Sequence, residues 1–146
     1  MKQNEIPPGG PAIILVEPQL GENIGAAARA MANFGLRDLR LVAPRDGWPN
    51  EAARASAALA AGIVDGALLF GTLAEAVADL HYVAATTARG RFLAKPVMSP
   101  AGAAATIFER GSEGSRCGIL FGKERAGLEN ADVAIADAIV TAPVDP

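Results

Sequence analysis

The sequence predicts an α/β domain: a mostly parallel sheet flanked by helices. Two observations carry that expectation. Short apolar runs alternate with helix-like patterns along most of the chain, the order of right-handed βαβ units. The first run, Ala12-Ile13-Ile14-Leu15-Val16, is apolar throughout, as suits a central strand covered on both faces. In such sheets ligands bind beyond the carboxyl ends of the strands. Three loops rich in chemistry, residues 17–23, 86–95 and 122–127, fall at those ends.

The elements follow in order. Residues 1–10 end in Pro7-Pro8-Gly9-Gly10 and read as a flexible arm. Strand 12–16 leads to a helix expected to start near Asn23, a good N-cap, and to run to about residue 34. Ile24, Ala27, Ala28, Met31 and Phe34 form its core stripe, and Gly35 suits its C-terminal stop. Residues 39–42 read as a second strand. After a turn-rich loop, Asn50 caps a helix expected over residues 51–61. A third strand is expected at 67–70. Thr72-Leu73-Ala74-Glu75 is a capping box that opens a short helix. Residues 81–86 read as a strand, and Ser99-Pro100 as the cap and first residue of a helix to about residue 110. Residues 117–121 form the next strand, 131–135 a helical turn, and 137–141 the last strand.

The totals narrow the function. The chain has 146 residues and 51% hydrophobic residues, enough for one domain with a sizeable core. One cysteine, Cys117, excludes a disulfide framework and a multi-cysteine metal site, and it is expected to pack as a small hydrophobe. One histidine leaves little scope for a His-based metal site or a Ser-His-Asp triad, and no metal is expected. No apolar run reaches the length of a membrane span and no signal peptide is visible, so a cytoplasmic protein is expected. The net charge of −3 argues against a generic nucleic-acid binder, but the charge is uneven. Residues 86–125 hold seven bases against three acids, while residues 126–146 hold four acids and no base. That permits a local phosphate-binding face, or ordinary solvation of loops.

The first loop lacks both the dinucleotide and the P-loop fingerprints. Asn23-x-Gly25-x-x-x-Arg29 places Gly25 and Arg29 one turn apart on a helix face. Gly25 would leave room for another backbone or a ligand, next to a buried-looking arginine whose fork suits phosphate or carboxylate. An ordinary surface arginine is the plainer alternative. In the third loop, glycines bracket Lys123-Glu124-Arg125. Gly122 would let a ligand pack on the strand end, and Glu124 could pair with a cation. A charged tight turn is the competing reading.

Asn23-x-Gly25-x-x-x-Arg29, followed by Phe121-Gly122-x-Glu124-x-x-Gly127-Leu128, resembles the first two motifs of the SpoU branch of the SPOUT RNA methyltransferases. Ile14-Leu15-Val16-Glu17-Pro18 and Ala85-Thr86-Thr87-Ala88-Arg89 sharpen the resemblance toward bacterial tRNA 2′-O-ribose methyltransferases acting on the anticodon loop. It covers residues 11–146, a SPOUT methyltransferase domain after the arm. The resemblance implies methyl transfer from S-adenosylmethionine to a ribose 2′-hydroxyl of RNA, a parallel sheet with a C-terminal trefoil knot, and a homodimer. It implies a cofactor pocket lined by Thr86, Thr87, Ala88, Leu120, Gly122 and Ala142, and a catalytic set of Arg29, Asn23 and Glu124. Arg89, Arg91, Lys95, Lys123 and Arg125 are expected to contact the RNA backbone. The family's third motif opens on an apolar-Pro step and continues to a Ser-Leu-Asn helix. Ala142-Pro143-Val144-Asp145-Pro146 matches only that opening, so a chain cut short, with its knot incomplete, is expected. A non-catalytic RNA-binding or dimerisation module of the same fold is the alternative. A small-molecule enzyme using another nucleotide is a third reading, disfavoured by the missing fingerprints.

Overall fold

A computed structural model of the chain describes residues 10–87 and 94–141. Among the described residues seven strands form one all-parallel sheet: β1 (Ala12–Val16), β2 (Leu39–Val42), β3 (Leu68–Phe70), β4 (Tyr82–Thr86), β5 (Val97–Met98), β6 (Cys117–Phe121) and β7 (Ala138–Val140). Their order across the sheet is β3-β2-β1-β6-β4-β7-β5. The helices are α1 (Gly21–Asn33), α2 (Glu51–Ala57), α3 (Ala61–Asp65), α4 (Leu73–Ala76), α5 (Pro100–Ser112) and α6 (Asn130–Ile135), with a 3₁₀ turn over Ala58–Ala60.

Strand alternation divides the core. Ile13, Leu39 and Leu41 bury against Ile24, Ala28 and Met31 of α1 and against Ala53, Ala57 and Ile63 of α2 and α3. On the opposite face Ile14, Val16, Val83, Leu120 and Ile139 bury against α4 and α6. α5 packs Ala103 and Ile107 over Tyr82, Ala84, Cys117, Ala138 and Val140. Register places Tyr82 beside Cys117 and Ile13 beside Ile119, so α5 shares a face with α1. Between those helices Ile119 and Phe121 floor an apolar gap, with Phe34 80% and Phe108 56% exposed on the flanking helices.

Local signals explain several boundaries. α1 ends in a Schellman motif: Leu36 N–H donates to Met31 O at 2.9 Å, Gly35 N–H donates to Ala32 O at 3.2 Å, and Gly35 has φ 73°. The Thr72–Glu75 capping box is present, and Ser99 Oγ accepts from Gly102 N–H ahead of Pro100.

Other boundaries differ from the sequence expectation. α1 begins at Gly21 behind Leu20, which supplies no side-chain cap, so Asn23 lies inside the helix. The helix expected over 51–61 breaks at Ala58, where φ is 53°. β5 adds an edge strand of two residues inside the segment expected to be a loop.

The core also holds a buried cation that no sequence motif marks. Arg40 is 3% exposed on β2, on the face opposite Leu39 and Leu41. It donates to Asp38, Asp79 and the carbonyl of Ala76. Burial alone would lower its pKa, but the bonds it donates to Asp79 and Asp38, with their negative charge, outweigh burial and raise it. Cys117 is buried, and burial pushes its thiol up, which fits a packing role.

Candidate active site

β1, β6 and β4 are neighbours in the sheet, so the chain leaving their carboxyl ends emerges side by side. These are the three loops singled out in the sequence. Two of them are joined by a direct polar link. Glu124 Oε1 accepts from Asn23 Nδ2 at 2.9 Å, and Oε2 accepts from the Gln19 backbone N–H at 3.0 Å. The link spans 101 residues of sequence. Burial would raise the Glu124 pKa. Hydrogen bonds from Asn23, from its own amide and from the Gln19 and Leu20 amides outweigh burial and hold it below the usual carboxylate range. An ionised carboxylate whose oxygens already accept several donors is a weak base and a firm anchor. Gln19 contributes only its backbone, which no residue-type motif reveals.

The loop carrying Glu124 closes on itself. Gly127 N–H donates to Lys123 O and Ala126 N–H donates to Glu124 O, both at 2.8 Å. Gly127 and Arg125 both have φ 72°. A Cβ on Gly122 would lie 2.6 Å from Gly127 Cα, so the turn itself requires glycine there. The space that the sequence reading reserved for a ligand beside Gly122 is filled by backbone, although Gly122 still borders the crevices described next. Lys123 Nζ lies 3.5 Å from Glu17 and 4.0 Å from Glu129, which ties the loop to the end of β1 a second time. Arg125 is exposed.

On the β4 side, Thr86 Oγ1 donates to Leu120 O at 2.7 Å, and Thr87 N–H donates to Val140 O at 3.0 Å. Thr86, Thr87, Ala103, Phe121, Gly122 and Val140 line a crevice of about 490 Å³. A second crevice of about 550 Å³ borders Asn23, Ala27, Met31, Phe34 and Glu124. The two share Ile119, Phe121 and Gly122. Both volumes fall in the range of small-molecule sites. The Leu120 side chain is fully buried in the core, so only its backbone faces this region.

Arg29 stands apart. It is exposed, not buried as its helix suggested, and its side chain makes no hydrogen bond or ion pair among the described residues. Six residues of helix separate it from Asn23, about 9 Å along the axis. Gly25 does not serve a ligand: a Cβ there would lie 2.6 Å from Ala53 O and 2.8 Å from Ala57 N. It is the point where α1 and α2 press together. Lys95 is half-exposed ahead of β5. Ala88, Arg89, Arg91 and Ala142 lie outside the described residues, as does the chain from Ala142 on which the knot expectation rests. Among the described residues no cluster of His, Cys, Asp and Glu could hold a metal, and no helix is long and apolar enough to cross a membrane.

The model of the SpoU rRNA methylase family matches residues 10–146. The chain belongs to that family. The motif resemblance and the SpoU-type parallel fold are therefore borne out. SpoU relatives include the Escherichia coli K12 protein described as an uncharacterized tRNA/rRNA methyltransferase LasT, 39% identical over 132 residues, 90% of this chain and 58% of that protein. The Pseudomonas aeruginosa tRNA (cytidine/uridine/adenosine-2′-O-)-methyltransferase TrmJ is 37% identical over 134 residues, 92% of this chain and 52% of that one. The chain thus spans somewhat over half the length of these curated relatives. Among solved structures, TrmJ from Z. mobilis ZM4 superposes with a TM-score of 0.87 at 63% identity, covering 93% of this chain and 60% of that one.

Proposed function

We propose that this chain is the catalytic portion of an S-adenosylmethionine-dependent RNA 2′-O-ribose methyltransferase with tRNA, at the anticodon loop, as substrate. One observation carries the reading: the Asn23–Glu124 link fastens the β1 and β6 loops together beside two crevices that meet at Gly122. S-adenosylmethionine fits the β4-side crevice by chemistry. The crevice is apolar enough for an adenine ring, and backbone groups at the ends of β4, β6 and β7 are at hand for polar edges. When bound, the cofactor supplies an electrophilic methyl group. Thr86, Thr87, Gly122 and, by resemblance, Ala88 and Ala142 would hold it.

The task left to the protein is mostly positioning. Glu124, ionised and accepting, holds the β1 loop at Gln19 and the first turn of α1 at Asn23. A guanidinium is a poor general base, so the role of Arg29 is to orient the ribose and a neighbouring phosphate and to stabilise charge developing on oxygen. Its exposure, away from Asn23 within one chain, supports a homodimer in which α1 faces a second copy. Exposed Phe34 and the crevice beside α1 that it borders, distinct from the β4-side crevice, make a suitable contact surface. Lys95, Lys123 and Arg125, with Arg89 and Arg91, hold the RNA backbone. A cytoplasmic location follows from a tRNA substrate.

The test is transfer of labelled methyl from S-adenosylmethionine to tRNA, followed by nucleoside analysis for a 2′-O-methyl ribose. Absence of transfer, together with absence of cofactor binding in calorimetry, favours a non-catalytic RNA-binding module.

A further inference from the structure

Residues 43–50 join β2 to α2 at the same sheet edge as the Asn23–Glu124 link. Ala43 N–H donates to Phe70 O at 2.9 Å, and Arg45 N–H donates to Pro18 O at 3.0 Å, so this loop is fastened to the β1 loop. The Arg45 side chain is exposed and pairs with Asp46 at 3.0 Å. Its pKa is raised first by the hydrogen bond and charge of Asp46, and also by the charge of Glu124. Arg45 therefore stands within electrostatic reach of the candidate site.

Farther along the loop, Asn50 abuts the first turn of α1, where a Cβ on Gly21 would lie 2.9 Å from Asn50 Cγ. From Asn50 a polar recess of about 310 Å³ opens, lined by Trp48, Arg54, Val64 and Asp65 among others. Trp48 is half-buried, and Arg54 Nε donates to Asp65 at 3.0 Å. Three non-glycine residues with left-handed backbone mark this edge: Glu17 (φ 52°), Ala43 (φ 45°) and Arg125 (φ 72°), after β1, after β2 and in the β6 loop. Such conformations gather where a surface is shaped for use.

Resting on the RNA-methylation reading, we propose that the β2–α2 loop is a second RNA subsite, in which the Trp48 recess stacks the base of a nucleotide neighbouring the methylated one and Arg45 binds an adjoining phosphate. Single-stranded RNA loops offer splayed bases that stack on aromatic side chains and on arginine planes. The recess has the scale of one planar ring system, at the small end of ligand-site volumes. Its mixed lining, the Trp48 ring beside polar groups of Asn50, Glu51, Arg54 and Asp65, suits a base, which has apolar faces and polar edges. Arg45 supplies a cation at this edge of an otherwise acidic chain, placed by a backbone bond to the loop that leads to Asn23.

The chain holds a single tryptophan, so Trp48 reports directly on this recess. Unfractionated tRNA is titrated into the full chain while Trp48 emission and the anisotropy of end-labelled tRNA are followed together. Stacking quenches emission with the same midpoint as the anisotropy. Trp48→Phe retains binding, Trp48→Leu weakens it about 5- to 150-fold, and Arg45→Ala lowers the slope of log affinity against log salt by about one without changing the melting temperature. If Trp48→Leu proves unfolded by circular dichroism, the wild-type quench and Trp48→Phe decide. Bound tRNA with unchanged Trp48 emission overturns the recess and leaves the methyltransferase reading standing. A chain that binds no tRNA at all overturns both.

Discussion

Glu124→Gln removes one charge and keeps the shape. In the wild type the carboxylate accepts from Asn23 at 2.9 Å and from Gln19 at 3.0 Å. Hydrogen bonds to a charged group contribute about 1.5–3 kcal/mol when buried. Glu124 is half-exposed, and water re-solvates part of what is lost, so a net loss of about 1–2 kcal/mol is expected. For a chain of this length that lowers the melting temperature by roughly 3–10 °C. The pH dependence supplies the sharper signature. The folded state depresses the Glu124 pKa, so its contribution is fully present above the unfolded glutamate value, about 4.3, and is lost as pH falls through the lower folded value. Thermal unfolding followed by circular dichroism should show wild type above Glu124→Gln at neutral pH and the two curves converging in acid. Equal melting temperatures at neutral pH, or a gap that persists in strong acid, would refute the idea that an ionised Glu124 anchors the β1 and β6 loops.

Gly25→Ala should destabilise by about 1–3 kcal/mol in urea unfolding, because the added methyl meets the α2 backbone. Gly111→Ala, where a Cβ meets nothing within 4 Å, should stabilise by up to about 1 kcal/mol through helix propensity. Arg40→Leu leaves Asp38 and Asp79 without their buried partner and should cost up to about 3–5 kcal/mol by the same measurement, less to the extent that half-exposed Asp79 rehydrates. Arg29→Ala should leave stability within about 0.5 kcal/mol of wild type, as at an uncoupled surface site, while abolishing methyl transfer to tRNA.

The fold was legible wherever signals were local. The all-apolar run at Ala12–Val16, the capping box at Thr72 and the Ser99-Pro100 pair each act within a few residues, and each stands where it was expected. Signals that depend on distant partners were read less well. Asn23 resembles an N-cap, but its amide is drawn to Glu124 across the fold, and α1 starts without a side-chain cap. Gly25 has the look of a ligand-approach glycine, yet helix–helix contact explains it, and nothing in α1 alone names the partner helix. The break at Ala58 has no signal at all, since alanine favours helix and nothing local calls for its positive φ. β5, two residues long after Pro96, pairs among the described residues with β7, a strand some forty residues on. Glu124 and Asn23 were found as motif residues, and their contact assigns them to one another.

The position of β6 has a consequence for how the chain reaches this state. It is the sixth strand in sequence but lies between the first and the fourth, pairing Ala12 with Gly118 and Tyr82 with Cys117. During synthesis β1 and β4 emerge as unpaired edges and remain so until β6 is made. The two halves of the sheet share no strand pair before then, so most of their stabilisation arrives late and over long loops, the topology associated with slow folding. Asn23 waits for the same event, because Glu124 follows β6 by only a few residues. The joining of β1 to β4 and the β1–β6 polar link therefore both wait for β6, and a nascent chain arrested before β6 has neither.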